Sequence, residues 1–213
     1  IRFTTSHPKD FGPDLVAAMA EVPQVCEWLH LPVQAGATRT LAAMRRRYTR
    51  ETYLEKIALV RARLPHVAIT TDVIVGFPGE TEAEFEELLT FLKEAQLDRV
   101  GCFAYSPVDG AKANELPDPV PEDVREERRR RFMELQAEIS SEKLQRKVGS
   151  VQQVLVDSID GELAIARSKA DAPEIDGLVY LDGFFDAEPG DFLRVRVIDA
   201  DHHDLYAEPV GQG

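Results

Sequence analysis

A carboxylate and two glycines stand where a buried strand turns into a helix. Asp72 precedes the apolar strand end Val73–Val75, and the turn Gly76-Phe77-Pro78-Gly79 follows it. In α/β folds ligands bind beyond the carboxyl ends of strands, and glycines let the backbone approach a ligand closely. A carboxylate within an apolar strand needs hydrogen-bond donors, which are either ribose hydroxyls or neighbouring backbone amides. Asp72 and Gly76 are therefore candidate binding residues.

An amide and a guanidinium follow an earlier strand. The segment His30–Val33 leads to Gln34, and Arg46 stands twelve residues further on, at the end of the next helix. An amide suits a sugar hydroxyl, and an arginine fork binds a carboxylate through two hydrogen bonds. Gln34 and Arg46 are therefore candidate ligand contacts. Alternatively, Arg45–Arg47 is a solvated helix end that the helix dipole favours.

Short apolar strands alternate with amphipathic helices over the first 108 residues. Four strands are predicted, at residues 1–5, 25–33, 67–75 and 100–105. Thr38, Thr49 and Thr81 are predicted to cap the helices that follow them, the last as a capping box with Glu84. Alternating units of this kind build a parallel sheet, open or curled into a barrel.

The pattern changes after residue 105. Residues 106–121 hold four prolines and predict an extended connection, and residues 122–148 predict one long charged helix. Five short strands with a period of two follow, at residues 151–159, 162–168, 178–181, 192–198 and 204–210. Five strands in about 60 residues is the size of a small OB-like barrel, a common binding module. The predicted domains are therefore 1–121, 122–148 and 149–213.

Charge separates the two ends of the chain. The whole sequence has 38 acidic and 25 basic residues, but residues 149–213 alone have 14 acidic and four basic ones. Such a barrel repels a phosphate backbone and favours a basic partner, unless its acidity serves only solubility. The loop carboxylates Asp171, Glu174 and Asp176 are candidate partner-binding residues. By contrast, Arg128–Arg131 are interleaved with glutamates and are predicted to form mainly a solvated helix surface.

Cysteine content and hydropathy exclude several classes of protein. Cys26 and Cys102 lie 76 residues apart, which excludes a disulfide framework and favours the cytoplasm. Two thiols cannot supply a four-thiolate metal site. No apolar run approaches the roughly 20 residues that cross a bilayer, so no membrane partner is expected. The chain opens at Ile1, without Met, in residues that resemble a strand, which predicts a piece of a longer protein.

Three motifs occur in order along the chain, followed by the five-strand module. They are Ser6-His7-Pro8, His30-Leu31-Pro32-Val33-Gln34 and Val75-Gly76-Phe77-Pro78-Gly79-Glu80-Thr81. Together they resemble the radical-SAM methylthiotransferases over essentially the whole chain. The resemblance implies an α/β partial radical-SAM (β/α) barrel followed by an all-β TRAM (OB-like) barrel. It also implies S-adenosylmethionine as co-substrate, with Gln34 and Asp72 at the ribose, Arg46 at the methionine carboxylate and Gly76 shaping the adenosine pocket.

The family also implies iron–sulfur clusters. Its members hold one 4Fe–4S cluster on a Cys-x₃-Cys-x₂-Cys loop near the first barrel strand and another in an N-terminal domain. This sequence has neither set of cysteines. Cys26 and Cys102 match no cluster ligand and are predicted to pack as small hydrophobic residues. The resemblance therefore implies the C-terminal half of such an enzyme, inactive alone.

The two ends of the chain resemble different branches of the family. Residues 1 to about 80 resemble the tRNA-modifying MiaB branch. From about Phe91 the chain resembles the RimO branch, which methylthiolates an aspartate of a small-subunit ribosomal protein. The clearest RimO-like segments are 97–103, 105–110 and 168–177. Substrate choice is expected to follow the acidic terminal module, which favours a basic ribosomal protein over tRNA. The alternatives are a MiaB-type tRNA methylthiotransferase fragment and a non-catalytic protein-binding module.

Overall fold

The computed structural model describes residues 1–4, 7–183 and 186–210 and forms two compact units, Ile1–Gln136 and Ala137–Gly213. Ser6 of the first motif and Thr5 of the first predicted strand therefore lie outside the described residues. No helix in the described part of the chain is long and apolar enough to cross a membrane.

The first unit is a parallel sheet with helical crossovers. Its strands are β1 (Trp28–His30), β2 (Ala68–Val75) and β3 (Arg99–Ala104). Its helices are α1 (Pro13–Glu21), α2 (Thr38–Ala43), α3 (Arg50–Arg63), α4 (Glu82–Ala95) and the first part of α5 (Glu122–Gln145). The strand order is β1-β2-β3, and both pairs are parallel, because a helical connection returns each strand to the same end of the sheet. The central strand is β2, as its apolar run predicts.

A buried tyrosine ties the helical layer to the loop after β1. Tyr53 of α3 is fully buried, and its ring lies 5.8 Å from that of Phe91 in α4. Its hydroxyl donates a hydrogen bond of 2.6 Å to the carbonyl of Leu31. A buried tyrosine hydroxyl needs such a partner. This contact anchors the segment that leads to Gln34.

Three local predictions for this unit need correction. The first predicted strand is a single parallel bridge from Thr4 to His30 in the described residues. Thr38 is the first residue of α2 rather than its cap, and its hydroxyl instead accepts a bond from the Arg50 amide. Residues 106–121 are more than an extended connection, because they contain a 3₁₀ helix, Lys112–Glu115. Thr49 and Thr81 cap α3 and α4 as predicted, and Glu84 completes the capping box.

The second unit contains the five predicted strands. They are β4 (Val151–Asp160), β5 (Leu163–Ser168), β6 (Val179–Asp182), β7 (Phe192–Ala200) and β8 (Leu205–Pro209). They close into a barrel in the order β4-β5-β6-β8-β7, with β6 and β8 parallel and the other pairs antiparallel. Register shifts after Val156 and Val197 bend β4 and β7, as closure of a small barrel requires. The confirmed architecture is an OB-like barrel.

Helix α5 contributes residues to both units. Phe132 is fully buried in its first part, and Leu144 in its last turn belongs to the apolar core of the barrel unit. The contacts therefore divide the chain between Gln136 and Ala137, inside the helix. The sequence instead treats 122–148 as a separate linking helix between 1–121 and 149–213. That three-part division stays a prediction.

Candidate functional site

A cavity of about 330 Å³ lies where β1 and β2 end. It is lined by Gln34, Ala43, Met44, Arg45, Arg46, Ile74, Phe77, Lys112, Ala113 and Leu116. Its volume is at the lower end of the range for small-molecule sites, and its walls combine apolar groups with a few polar ones, as such sites do. One amide and two guanidinium groups beside apolar side chains suit a ligand that carries hydroxyls, a carboxylate and an aromatic base.

Gln34 reaches the cavity because its backbone is held in an uncommon conformation. Its φ angle is +74°, in the left-handed region that residues other than glycine seldom adopt. Its amide donates to the Asp72 carbonyl and its carbonyl accepts from the Ile74 amide, both at 2.9 Å. These two bonds join the loop to β2 as a single parallel bridge. Strained residues of this kind cluster at binding sites.

The end of α2 brings two arginines to the cavity. The Arg45 amide donates to Ala42 at 3.0 Å and the Arg46 amide donates to Leu41 at 2.8 Å. This is a Schellman motif, and its left-handed position is held by Arg45, with a φ angle of +57°. Glycine is the usual residue at that position. The helix end therefore places Arg45 and Arg46 on the cavity wall rather than only in solvent.

Asp72 lies on the same face of β2 as Ile74 but is not part of the cavity wall. Residues two apart in a strand are about 6–7 Å apart, so Asp72 stands beside the cavity. Its carboxylate lies over Gly101 of β3, where a Cβ atom would come within 2.5 Å of Oδ1. His30 Nε2 is 3.4 Å from Asp72 Oδ2. The structure thus brings Gln34 and Arg46 together and sets Asp72 at the edge.

Gly76 is the first residue of the turn after β2 and does not line the cavity. Its φ angle is +71°, and a Cβ atom there would collide with the side chain of Arg125. Its amide donates to Glu80 Oε1 at 2.8 Å. Phe77, the next residue, lines the cavity and packs edge-on against Tyr105 at 5.4 Å. Gly76 therefore acts on the cavity through the backbone path that it allows.

A buried ion pair that no local sequence pattern predicted supports this turn. Arg128 Nη1 donates to Glu80 Oε1 at 2.8 Å, and the two side chains are only 6% and 3% exposed. Burial raises the pKa of Glu80, against the lowering effects of the Gly76 amide and of Arg128. The prediction of a solvated Arg128 is wrong. The available signal was its spacing of four residues from the buried Phe132, which puts both on one helix face.

The residues present do not fit an iron–sulfur cluster. Across 1–4, 7–183 and 186–210, no group of three or more His, Cys, Asp or Glu side chains could hold a metal ion. Cys26 and Cys102 are both free, and burial raises the pKa of the Cys102 thiol to about 12. A cluster needs several thiolate ligands. These two cysteines therefore cannot ligate one.

The three predicted partner-binding carboxylates differ in exposure. Glu174 is exposed, with a φ angle of +65°. Asp176 is half-buried and accepts a bond from the Ala172 amide at 2.8 Å. Asp171 is only 4% exposed and accepts a bond of 2.6 Å from the Ser168 hydroxyl. Contrary to expectation, Asp171 therefore holds the loop from within, where a partner does not reach it unless the loop opens.

The outer surface of the barrel has an aromatic pair that was not among the predicted site residues. Tyr180 of β6 and Tyr206 of β8 are neighbours in register, with ring centroids 5.6 Å apart. The Tyr206 hydroxyl donates to Asp201 at 3.1 Å. Both tyrosines alternate with buried residues, so the period of two already placed them outside. Aromatic faces beside a carboxylate attract guanidinium and ammonium groups.

Comparison with known proteins agrees with this architecture. Residues 1–92 match the Radical SAM superfamily, and residues 148–210 match the TRAM domain. The solved radical-SAM enzyme coproporphyrinogen III oxidase (HemN) from Escherichia coli has a similar fold, with a TM-score of 0.53 at 16% identity. The similarity covers 76% of this chain and 45% of that enzyme. The chain thus combines a radical-SAM fold with a TRAM barrel.

Two curated relatives are much closer in sequence. The ribosomal protein uS12 methylthiotransferase RimO of Dechloromonas aromatica (strain RCB) is 56% identical over 210 residues, and that of Aeromonas salmonicida (strain A449) is 52% identical over 211. Each match covers 99% of this chain and 48% of the relative. The chain therefore belongs to the radical-SAM methylthiotransferase family and is RimO-like along its whole length. It spans about half the length of the curated relatives it matches.

Proposed function

We propose that this chain is the co-substrate-binding and substrate-recruiting part of an enzyme that methylthiolates an aspartate of ribosomal protein uS12. The observation that carries the proposal is the convergence of Gln34 and Arg46 on one cavity at the strand ends, in a RimO-like chain. The enzyme acts in the cytoplasm, where ribosomal proteins are made. Without cluster ligands the chain is inactive alone.

The cavity supplies a group for each part of S-adenosylmethionine. The Arg46 guanidinium binds the methionine carboxylate through two hydrogen bonds, and the Gln34 amide binds a ribose hydroxyl. The Asp72 carboxylate, beside the cavity, accepts a bond from the ribose. The apolar wall, including Ile74 and Phe77, covers the adenine and excludes water. Gly76 shapes the turn behind this wall.

The complete enzyme needs groups that this chain does not supply. In the complete enzyme a 4Fe–4S cluster, held by residues other than those of this chain, would supply one-electron reducing chemistry. The residues of this chain bind and orient the co-substrate for that chemistry. Their contribution is placement, which is the protein's usual part in cofactor-driven reactions.

The barrel recruits the protein substrate. With 14 acidic and four basic residues it attracts a basic ribosomal protein and repels tRNA. Exposed Glu174 and half-buried Asp176 contribute charge, and the Tyr180–Tyr206 pair offers a stacking surface for arginine. A tRNA-binding role would instead need a basic face, and the candidates are Arg45–Arg47 with Arg50 and the arginines of α5. There Arg128, Arg130 and Arg131 are all paired with glutamates.

Three titrations of the full chain test this proposal. S-adenosylmethionine, purified uS12 and bulk tRNA are each measured by calorimetry at about 0.1 M salt, where screening length is roughly 10 Å. We expect binding of the first two and negligible binding of tRNA. Tighter binding of tRNA than of uS12 would favour the MiaB-type alternative. Binding of uS12 without any binding of S-adenosylmethionine would favour a non-catalytic module.

A further inference from the structure

The cavity at the ends of β1 and β2 has more positive charge than its co-substrate requires. Arg45, Arg46 and Lys112 all line it. Within the described ranges 1–4, 7–183 and 186–210, none of the three forms a salt bridge with a carboxylate. The chain as a whole has a net charge of −13, so acidic side chains are abundant. Three unpaired cations on one cavity therefore mark it as a site for anions.

S-adenosylmethionine does not balance these charges. It has one carboxylate, but its ammonium and sulfonium groups give it a net positive charge. Arg46 alone can pair with its carboxylate. Arg45 and Lys112, both of which are exposed residues on the cavity wall, would then face a cationic ligand and each other, and like charges at close range repel. The arrangement calls for a second anion in or beside the cavity.

We propose that Arg45 and Lys112 bind the carboxylate of the substrate aspartate, beside the co-substrate. This inference rests on the proposed function, since it takes S-adenosylmethionine and an aspartate-bearing protein as the two ligands. A carboxylate accepts charge-assisted hydrogen bonds from both cations, whereas the amide of asparagine carries no charge. The pair therefore sets the preference for aspartate over asparagine.

Hydrogen bonds fix the segment that carries Lys112. Lys112 begins the 3₁₀ helix Lys112–Glu115, in which Asn114 Oδ1 accepts a bond of 2.6 Å from the Tyr105 hydroxyl. The Asn114 amide nitrogen donates to the Val108 carbonyl at 2.8 Å. The same segment reaches the turn after β2, where the Gly79 amide donates to the Asp118 carbonyl at 2.8 Å. The cavity wall that carries Lys112 is therefore tied to β3 and to the turn.

Arg45 occupies a backbone position at which arginine is less favourable than glycine. Its left-handed conformation, with a φ angle of +57°, suits glycine better than arginine. An Arg45→Gly variant should therefore fold at least as well as the parent chain. Any loss of ligand binding in that variant comes from the missing guanidinium and not from unfolding.

The test uses the full chain and two labelled uS12 peptides that span the modified aspartate, one with Asp and one with Asn there. Fluorescence anisotropy is measured with saturating S-adenosylmethionine. We expect the parent chain to bind the Asp peptide roughly tenfold more tightly, the effect of about one charged hydrogen bond. Arg45→Gly and Lys112→Gln should each reduce this preference to about twofold or less. Lys112→Arg should retain it.

Arg47 provides the matched control. It is an exposed arginine next to the site but outside the cavity wall, so Arg47→Gln should leave the preference unchanged. Equal binding of the two peptides by the parent chain would overturn the inference, as would loss of the preference in the Arg47 variant.

Binding of S-adenosylmethionine distinguishes failure of this inference from failure of the proposed function. Affinity for S-adenosylmethionine should be no lower in Arg45→Gly and Lys112→Gln than in the parent chain, because each change removes a positive charge that faces a cationic ligand. A fall in that affinity would assign both cations to the co-substrate and overturn the inference. Absence of S-adenosylmethionine binding in the parent chain, with the Asp preference intact, would instead overturn the proposed function and leave a carboxylate site.

Discussion

The guanidinium of Arg46 is the single charge on which co-substrate binding should depend most. Its backbone amide closes the Schellman motif of α2, so Arg46→Ala removes the side chain and keeps the helix end. We expect the free energy of S-adenosylmethionine binding to weaken by roughly 1.5–3 kcal/mol, the effect of a charged hydrogen bond. Isothermal titration of the full chain measures this loss.

The pKa of a nearby histidine depends on the Arg46 guanidinium, so it can be used to detect this charge in the absence of a ligand. The pKa of His7 is lowered by burial first and by the positive charge of Arg46 second. Arg46→Ala should therefore raise the pKa of His7, which NMR titration of the imidazole measures. Arg47→Ala is the control, because Arg47 is not among the charges that act on His7.

The same two variants also test the prediction for binding. A co-substrate affinity that falls equally in both variants would contradict a specific role for Arg46.

The buried carboxylate of Glu80 should contribute more to the free energy of unfolding than the exposed carboxylate of Glu82. Glu80→Gln leaves the Arg128 guanidinium buried with only the partly exposed Glu82 as a charged partner. We expect the free energy of unfolding to fall by roughly 2–4 kcal/mol, as when one member of a buried ion pair is removed. Glu82→Gln, which removes the exposed partner, should lower it by less than about 1 kcal/mol. Urea unfolding compares the two, and equal losses would be inconsistent with a supporting role for the Glu80–Arg128 pair.

At the scale of elements, the start of α4 should give the fold a dependence on pH. Burial alone would raise the pKa of Glu84, but hydrogen bonds from Arg39 and Thr81 outweigh it and lower the pKa to about 2. Because the folded pKa lies below the ordinary value of 4.5, the carboxylate stabilises the fold above about pH 4.5. That stabilisation is lost as the pH falls towards 2.

Glu84→Gln tests this prediction. At pH 7 the variant should be less stable than the parent chain by at most roughly 3 kcal/mol, and the difference should shrink as the pH is lowered from 5 to 3. Urea unfolding at a series of pH values measures it. Glu87→Gln is the control, since Glu87 lies exposed on the same helix. A difference between parent and Glu84→Gln that does not change with pH would show that the lost packing, not the charge, is responsible.

At the scale of the whole molecule, the acidic barrel should make substrate recruitment sensitive to salt. Its 14 acidic and four basic residues should steer a basic protein towards it, and this steering should weaken as salt screens the charges. We expect the affinity of the full chain for uS12 to fall between 0.05 and 0.3 M salt, which titration at several ionic strengths measures. An affinity independent of salt would contradict electrostatic recruitment.

Two carboxylates of the barrel separate recruitment from stability. Glu174→Gln, on the surface, should reduce the salt dependence of uS12 binding and leave the melting temperature unchanged. Asp171→Asn, in the loop interior, should lower the melting temperature, because the buried Asp171 carboxylate bonds to Ser168. Binding and thermal melting of both variants give the comparison. A drop in melting temperature for Glu174→Gln alone would reverse these two roles.

Local sequence patterns were sufficient to predict most of the elements and the class of each domain. The apolar run of β2, the Thr81–Glu84 capping box and the period of two after Gly149 depend on neighbours a few residues away. Local sterics and hydrogen bonds specify such features, so they can be read without a fold. Gln34 and Arg46 were recognisable for the same reason, as each follows an element end.

Tertiary structure decided which distant residues meet. Glu80 and Arg128 form one buried pair across 48 residues of sequence. Lys112 joins Arg45 on the cavity only because the proline-rich segment folds back to the turn after β2. Asp171 was recognisable as a loop carboxylate, but its burial follows from how that loop packs. Long-range contacts of this kind arise from chain topology and side-chain packing, which no local pattern encodes.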